Sequence, residues 1–280
     1  MSDKMKIIIC THKNCDMPTD DIFIPIQVGK AISTIDLGLR GDDTGDNIST
    51  KNVSFCELTA LYWAWKNIKN LYPGLEYIGF CHYRRYLALD KLNLRNEIYL
   101  NDVPILKNTE KMANHILKNS AIILQKKIIH PYSLYFNHSL FHHSDDYRTL
   151  KEIMHNIHPE YDNSFLYIFE KNNKCSYYNI FISEYSMFKN YCEWLFPILF
   201  EAEKKIRIDN YNDFQKRIFG FFAERLLNVY VYHNKIKTKY KPIYCIVNKK
   251  QRSYLIDILC NIKNSYIFYM QRLLLPNFSD

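Results

Sequence analysis

Glu76-Tyr77-Ile78-Gly79-Phe80-Cys81-His82-Tyr83-Arg84-Arg85-Tyr86 begins as an apolar run and ends abruptly in charge. Such a short apolar run reads as a strand buried on both faces, the kind found in parallel sheets. Lys6-Ile7-Ile8-Ile9-Cys10-Thr11 repeats the pattern and delivers Thr11-His12-Lys13 at its end. In open α/β sheets ligands bind outside the carboxyl ends of the strands, so both polar exits point to one crevice. Between the two runs lie a short strand over 22–28 weakened by Pro25, a polar loop over 36–51, and a helix. Ser54 and Glu57 stand at capping-box spacing, Leu58, Leu61, Tyr62, Trp65 and Ile68 recur at helical intervals, and Tyr72-Pro73-Gly74 stops the helix. Strand, strand, loop, helix, strand is an α/β order.

The same reading predicts helices over 108–119, 145–157 (capped by Asp145 or Asp146), 186–205 (kinked or broken near Pro197), 213–230 and 255–275. It predicts further strands over 121–124, 179–183 and 241–247. No repeat, low-complexity tract or linker interrupts the chain. The expectation is one α/β domain, residues 1–250, with an amphipathic helical extension over 251–280.

Composition narrows the classes. The 280 residues are 48% hydrophobic and 24% charged, which excludes global disorder, and 7 glycines exclude Gly-rich repeats. A net charge of +8 favours anionic partners without choosing among phosphates, nucleic acid and an anionic membrane face. Eight cysteines with no CxxC pair read as reduced thiols. The polar start over 1–6 shows no secretion signal, and no apolar run approaches the roughly 18 residues of a membrane span, so a cytoplasmic protein is expected.

The 82–86 cluster carries the most chemistry, because the arginine fork matches phosphate oxygens in pairs. Alternation along an extended segment would turn His82 and Arg84 one way and Tyr83 and Arg85 the other. The alternative is structural arginines bonding loop carbonyls. The loop Gly41-Asp42-Asp43-Thr44-Gly45-Asp46-Asn47-Ile48-Ser49 offers short acceptors for a cation or sugar hydroxyls, or is an ordinary solvated turn; it lacks EF-hand spacing. Seven of ten histidines lie between 115 and 158 without a zinc motif, and read as surface or acceptor-facing side chains. Glu224, seven residues from Arg217 on one helix face, reads either as a general base or as half of a buried ion pair. Along 255–273 an apolar stripe is flanked by Lys249, Lys250, Arg252, Lys263 and Arg272: a core-packing helix, or a basic interfacial helix on an anionic membrane.

A family resemblance joins these pieces. Thr11-His12-Lys13, Ile26-Gln27-Val28-Gly29, Gly45-Asp46-Asn47-Ile48-Ser49-x-Lys51-Asn52, Glu57-Leu58-Thr59-Ala60-Leu61-Tyr62-Trp63-x-Trp65-Lys66-Asn67 and His82-Tyr83-Arg84-Arg85-Tyr86 occur in order. With Gly220-Phe221-x-Ala223-Glu224-Arg225-Leu226-Leu227 they resemble bacterial capsular and lipopolysaccharide glycosyltransferases long catalogued as a domain of unknown function. The resemblance spans roughly 6–245; Asn179-Ile180 stands where the family usually has Asn-Met.

The resemblance implies a GT-A-like nucleotide-sugar fold, a Rossmann-like mixed sheet flanked by helices. It implies transfer from a nucleoside diphosphate sugar, UDP-hexose first, to a lipid-linked or oligosaccharide acceptor at the inner face of the cytoplasmic membrane. On that reading Glu224, Arg84, Arg85 and His82 are catalytic. Thr11, His12, Lys13, Gln27, Gly29, Asp43, Asp46, Asn47, Ser49, Asn52 and Glu57 bind the donor, while Asn179 and Arg217 meet the acceptor. GT-A enzymes commonly hold a divalent metal on D-x-D, which this chain lacks. The arginines are expected to replace it, with Asp43 and Asp46 as the ligands if Mg or Mn is used. Rival readings are a basic nucleic-acid-binding protein, for which the tyrosines sit too much within apolar patterns, a His-based metallohydrolase, and a non-catalytic scaffold of polysaccharide assembly.

Overall fold

The structure is a computed structural model describing residues 3–274 except 105, 248 and 252, so Arg252 and residue 275 of the expected last helix lie outside the described residues. In chain order the first half runs β1 (Met5–Thr11), β2 (Phe23–Gln27), β3 (Arg40–Gly41), α1 (Asn52–Phe55), α2 (Leu58–Leu71), β4 (Tyr77–His82), β5 (Arg85–Leu87), β6 (Glu97–Leu100), α3 (Thr109–Leu117) and β7 (Ile122–Gln125). Then follow β8 (Ile128–Ile129), α4 (Leu134–Ser139), α5 (Ser144–Ile157), α6 (Asp162–Glu170), β9 (Lys174–Cys175), β10 (Phe181–Glu184), α7 (Tyr185–Lys205), α8 (Ile218–His233), β11 (Thr238–Lys241), β12 (Ile243–Ile246) and α9 (Tyr254–Leu274).

The main sheet has the order β11-β7-β10-β4-β1-β2-β3, with β12, β5 and β6 attached at its side. It is mostly parallel; β10 runs against both β4 and β7. All seven residues of β1 are buried, because both sheet faces are covered. Ile8 and Cys10 enter the core under α2, α7 and α8, while Met5, Ile7 and Ile9 enter a second core with Leu117 and Ile243. Each such side chain contributes about 1.5–3 kcal/mol by leaving water. The mixed sheet flanked by helices is the fold class read from the sequence.

Pro25 is tolerated in β2 for a specific reason. Val28 donates to Thr11 of β1, whereas the Gln27 carbonyl accepts from Asp42 on the other side. Pro25 therefore faces the β3 side, and β3 reaches only Ile26 and Gln27.

Several local expectations are overturned. No capping box forms at Ser54 and Glu57: Cys56 takes φ 52°, splitting α1 from α2, and Ser54 Oγ bonds Lys51 O instead. Pro197 does not break α7, which is continuous from Tyr185 to Lys205. His143, not Asp145 or Asp146, precedes α5; Asp146 is buried and accepts from Tyr211 Oη at 2.7 Å. The segment around His138 is helical after all, capped by Ser133, whose side chain accepts from Phe136 N. His138 and His142 are buried rather than on the surface, with their rings against Phe222 and Phe221.

Candidate active site

β1 and β4 lie side by side and parallel, Cys10 opposite His82, so both polar exits emerge at the same sheet edge. They open into a cleft of about 620 Å³, within the range of small-molecule and cofactor sites. Lys13 comes from the end of β1, Arg84 and Arg85 from beyond β4, and Arg217 from the turn before α8.

The chain does not stay extended after β4. His82 pairs with Arg85, making Tyr83 and Arg84 a two-residue hairpin turn. That corrects the alternation expected from the sequence: His82, Tyr83, Arg84 and Arg85 all line the cleft. Arg85 lies over the Tyr178 ring at 4.3 Å, and Arg84 over Tyr83 at 5.5 Å.

Three carboxylates line this cleft: the exposed Asp213, and Glu57 with Glu224. The break at Cys56 puts Glu57 at the N-cap of α2, where its side chain makes no capping bond and lines the cleft instead. Glu224 projects from the second turn of α8, which approaches α1 closely: a Cβ on Gly220 would meet Cys56 Cβ at 3.4 Å. Tyr178 and Asn179 tie the two together. Tyr178 N donates to Glu224 Oε1 at 2.8 Å, and Asn179 Nδ2 donates to Glu57 Oε1 at 2.7 Å. Both residues are left-handed, φ 67° and 51°, and the Tyr178 carbonyl faces His82 Nε2 at 2.6 Å.

Burial pushes the Glu224 carboxyl up to about 7; Glu57 adds to the rise, while Arg225, Arg217 and the Tyr178 N–H oppose it. A carboxyl poised there exchanges protons at neutral pH. Burial also lowers His82, reinforced by Arg85 and Arg84 and opposed by Glu57 and the Tyr178 carbonyl. His12 is lowered by burial, then by Lys13 and Arg84. Both imidazoles are held toward the neutral form, leaving positive charge to the lysine and arginines. Cys56 is pushed up to about 12, chiefly by burial, and is no thiolate nucleophile.

Of the residues singled out in the sequence, the cleft gathers His12, Lys13, Asn52, Glu57, His82 and Arg84 along with Arg85, Arg217 and Glu224. Asn179 touches it through Glu57. The others stand behind the wall. Thr11 Oγ1 closes the turn onto Lys13, and Gln27 bonds Ser33, Ile35 and Leu37. Gly29, at φ 64°, lies so near Asn52 that a Cβ would meet its Cγ at 2.6 Å.

The acidic loop is mainly a brace. Buried Asp42, not Asp43, is its centre, accepting from Gly29 N, Lys30 N and Ser49 Oγ. Asp46 accepts from Tyr62 Oη at 3.0 Å and Asn47 bonds Gly45 and Ser49, while Asp43 is exposed. Asp43, Asp46, Asn47 and Ser49 do not line the cleft, and the two aspartates do not fit a divalent-ion site there. Among the described residues no group of three or more His, Cys, Asp or Glu is arranged to hold a metal ion.

Sequence reasoning missed Tyr178, Asp213 and Phe221 as lining residues. Tyr178 had one available signal, its place immediately before Asn179.

The family described as "Domain of unknown function (DUF4422)" matches residues 6–235. The chain belongs to this family. Every residue lining the cleft falls within the DUF4422 region, and α9 falls outside it. The chain is also similar to the apo structure of WbbM, a bifunctional glycosyltransferase, with a TM-score of 0.79 and 31% identity over 88% of this chain and 46% of that one. It thus spans less than half the length of that protein. No curated protein matches the sequence.

Proposed function

We propose that the cleft binds a nucleoside diphosphate sugar and transfers its glycosyl group to a hydroxyl of a growing capsular or lipopolysaccharide glycan, as a GT-A-like glycosyltransferase. The observation that carries this reading is the meeting of Lys13, Arg84, Arg85 and Arg217 with the carboxylates of Glu57 and Glu224 at the carboxyl ends of β1 and β4. The likeness to WbbM supports glycosyl transfer in general.

The chemistry follows from charge. The anomeric C–O bond to the β-phosphate breaks with its electron pair leaving on the phosphate oxygen, and an acceptor oxygen forms the new C–O bond. Negative charge therefore grows on the diphosphate, where fixed cations stabilise it most. Arg84 and Arg85 present planar forks to that diphosphate, and Lys13 and Arg217 add charge. The acceptor hydroxyl loses its proton as it bonds, and Glu224 takes it. Asn179 bonds Glu57, and we assign His12 and Asn52 to the nucleoside half of the donor. UDP-hexose is the donor we favour, with a lipid-linked or oligosaccharide acceptor.

A thermal-shift screen against UDP-, GDP-, CDP- and dTDP-sugars tests the reading, because a ligand that binds only the native state raises its apparent stability. A rise with a UDP-sugar, absent in Arg84→Ala/Arg85→Ala, is expected. No response to any of the four, together with steeply salt-dependent binding of generic oligonucleotides, would replace it with nucleic-acid binding.

A further inference from the structure

We propose that α9 docks this protein on an anionic bilayer surface. The helix is built inside out. Leu255, Leu259, Ile262, Tyr266, Tyr269 and Leu273 form one stripe, each 60–75% exposed. Its polar side turns to the protein instead. Asp257 pairs with Arg95 Nη1 at 3.0 Å, and Asn264 Nδ2 donates to Ile129 O at 2.8 Å. Asp257 and Asn261 also line a polar cavity of about 210 Å³ together with Glu97 and Gln251. Phe268 is the helix's one buried residue among those described. An apolar patch of this extent on a folded surface marks an interaction site.

Charge decides the occupant. Residues 249–274 carry five cations (Lys249, Lys250, Arg252, Lys263 and Arg272) against one acid, Asp257, a net +4 of the chain's +8. That acid faces inward to Arg95. A second copy of the chain would add its own net positive charge to this one's. A two-stranded coiled coil also wants a narrow seam with charged flanks, whereas Ile256 and Leu274 widen the stripe and are 47% and 69% exposed. A broad apolar face with tyrosines and lysines fits the headgroup boundary of an anionic membrane. No helix of the described residues is long and apolar enough to cross one, so α9, about 30 Å long by its 21 residues, lies in the surface plane.

This inference stands apart from the chemistry of the cleft. Its test is co-sedimentation of the full chain with phosphatidylcholine vesicles, with and without phosphatidylglycerol, followed by light scattering. The chain pellets with the phosphatidylglycerol vesicles, and less so as salt rises. Leu259→Glu/Tyr266→Glu lowers vesicle partitioning at least about tenfold, and Lys263→Gln lowers it about fivefold on the anionic vesicles. All three positions are exposed, so the melting temperature is unchanged. Absence of sedimentation with anionic vesicles, or equal sedimentation of the double variant, overturns the proposal. So does a wild-type dimer that the double variant dissolves, which assigns the face to a second copy.

Discussion

The backbone N–H of Tyr178 donates to Glu224 Oε1 at 2.8 Å while its carbonyl faces His82 Nε2 at 2.6 Å. One peptide segment thus fixes a carboxylate from α8 and an imidazole from the end of β4. Its ring extends the same role, stacking under Arg85 and donating its hydroxyl to Glu97 Oε1 at 3.0 Å.

Glu224 makes stability and activity depend on pH in opposite senses. Its folded carboxyl sits at about 7, above its ordinary 4.5, so its contribution to stability is full below about 4.5 and is lost as pH rises through 7, on the order of 3 kcal/mol in all. Glu224→Gln should flatten that slope in melting curves between pH 4.5 and 7.5. As a base, Glu224 works when ionised, so transfer should rise with an apparent pKa near 7, and the variant should lose this limb.

Arg85→Lys keeps a positive charge but loses both the fork and the flat face over Tyr178. Transfer should fall about ten- to a hundredfold with little change in melting temperature. An unaltered rate removes Arg85 from the mechanism.

Asn179 can be dissected. Asn179→Ala loses the bond to Glu57 and places Ala at φ 51°, costing about 2 kcal/mol. Asn179→Gly relieves the backbone and recovers about 1 kcal/mol, yet leaves Glu57 unheld. Transfer should therefore stay low in both variants while denaturant unfolding separates them.

Asp42→Ala should destabilise the fold by about 2–4 kcal/mol, since it strips partners from Gly29 N, Lys30 N and Ser49 Oγ. Asp43→Ala, at an exposed position, should change stability by less than about 0.5 kcal/mol. A large loss of transfer in Asp43→Ala with unchanged stability would return the loop to the donor site.

Transfer should survive excess chelator, because the cleft's charge comes from lysine and arginine. Complete loss that added metal reverses would assign the leaving charge to an ion instead.

The sheet strands β1 and β4 were legible because each is one apolar run ending in polar residues, and α2 and α7 because their apolar residues keep helical period. What the sequence hid was set by long-range partners. Tyr83-Arg84 carries none of the Asn-Gly chemistry that usually marks a two-residue hairpin; pairing of Arg85 with His82 imposes it. Ser54 and Glu57 have capping-box spacing, but a left-handed Cys56 overrides the local signal and frees Glu57 for the cleft. In the loop, Asp42 outweighs its neighbours because N–H groups from Gly29 and Lys30, 13 and 12 residues earlier, converge on it. Left-handed Tyr178 and Asn179 had no glycine to announce them.

The cleft draws its walls from residues between Cys10 and Glu224, and β10 is the strand that joins β4 to β7. On the ribosome, β1, β2 and β4 emerge first and can pair at once. The strand β7 waits for 181–184 before it reaches them. Nascent chains therefore carry Glu57 and the cationic hairpin long before Glu224, and the last wall of the cleft is supplied only when α8 leaves the exit tunnel.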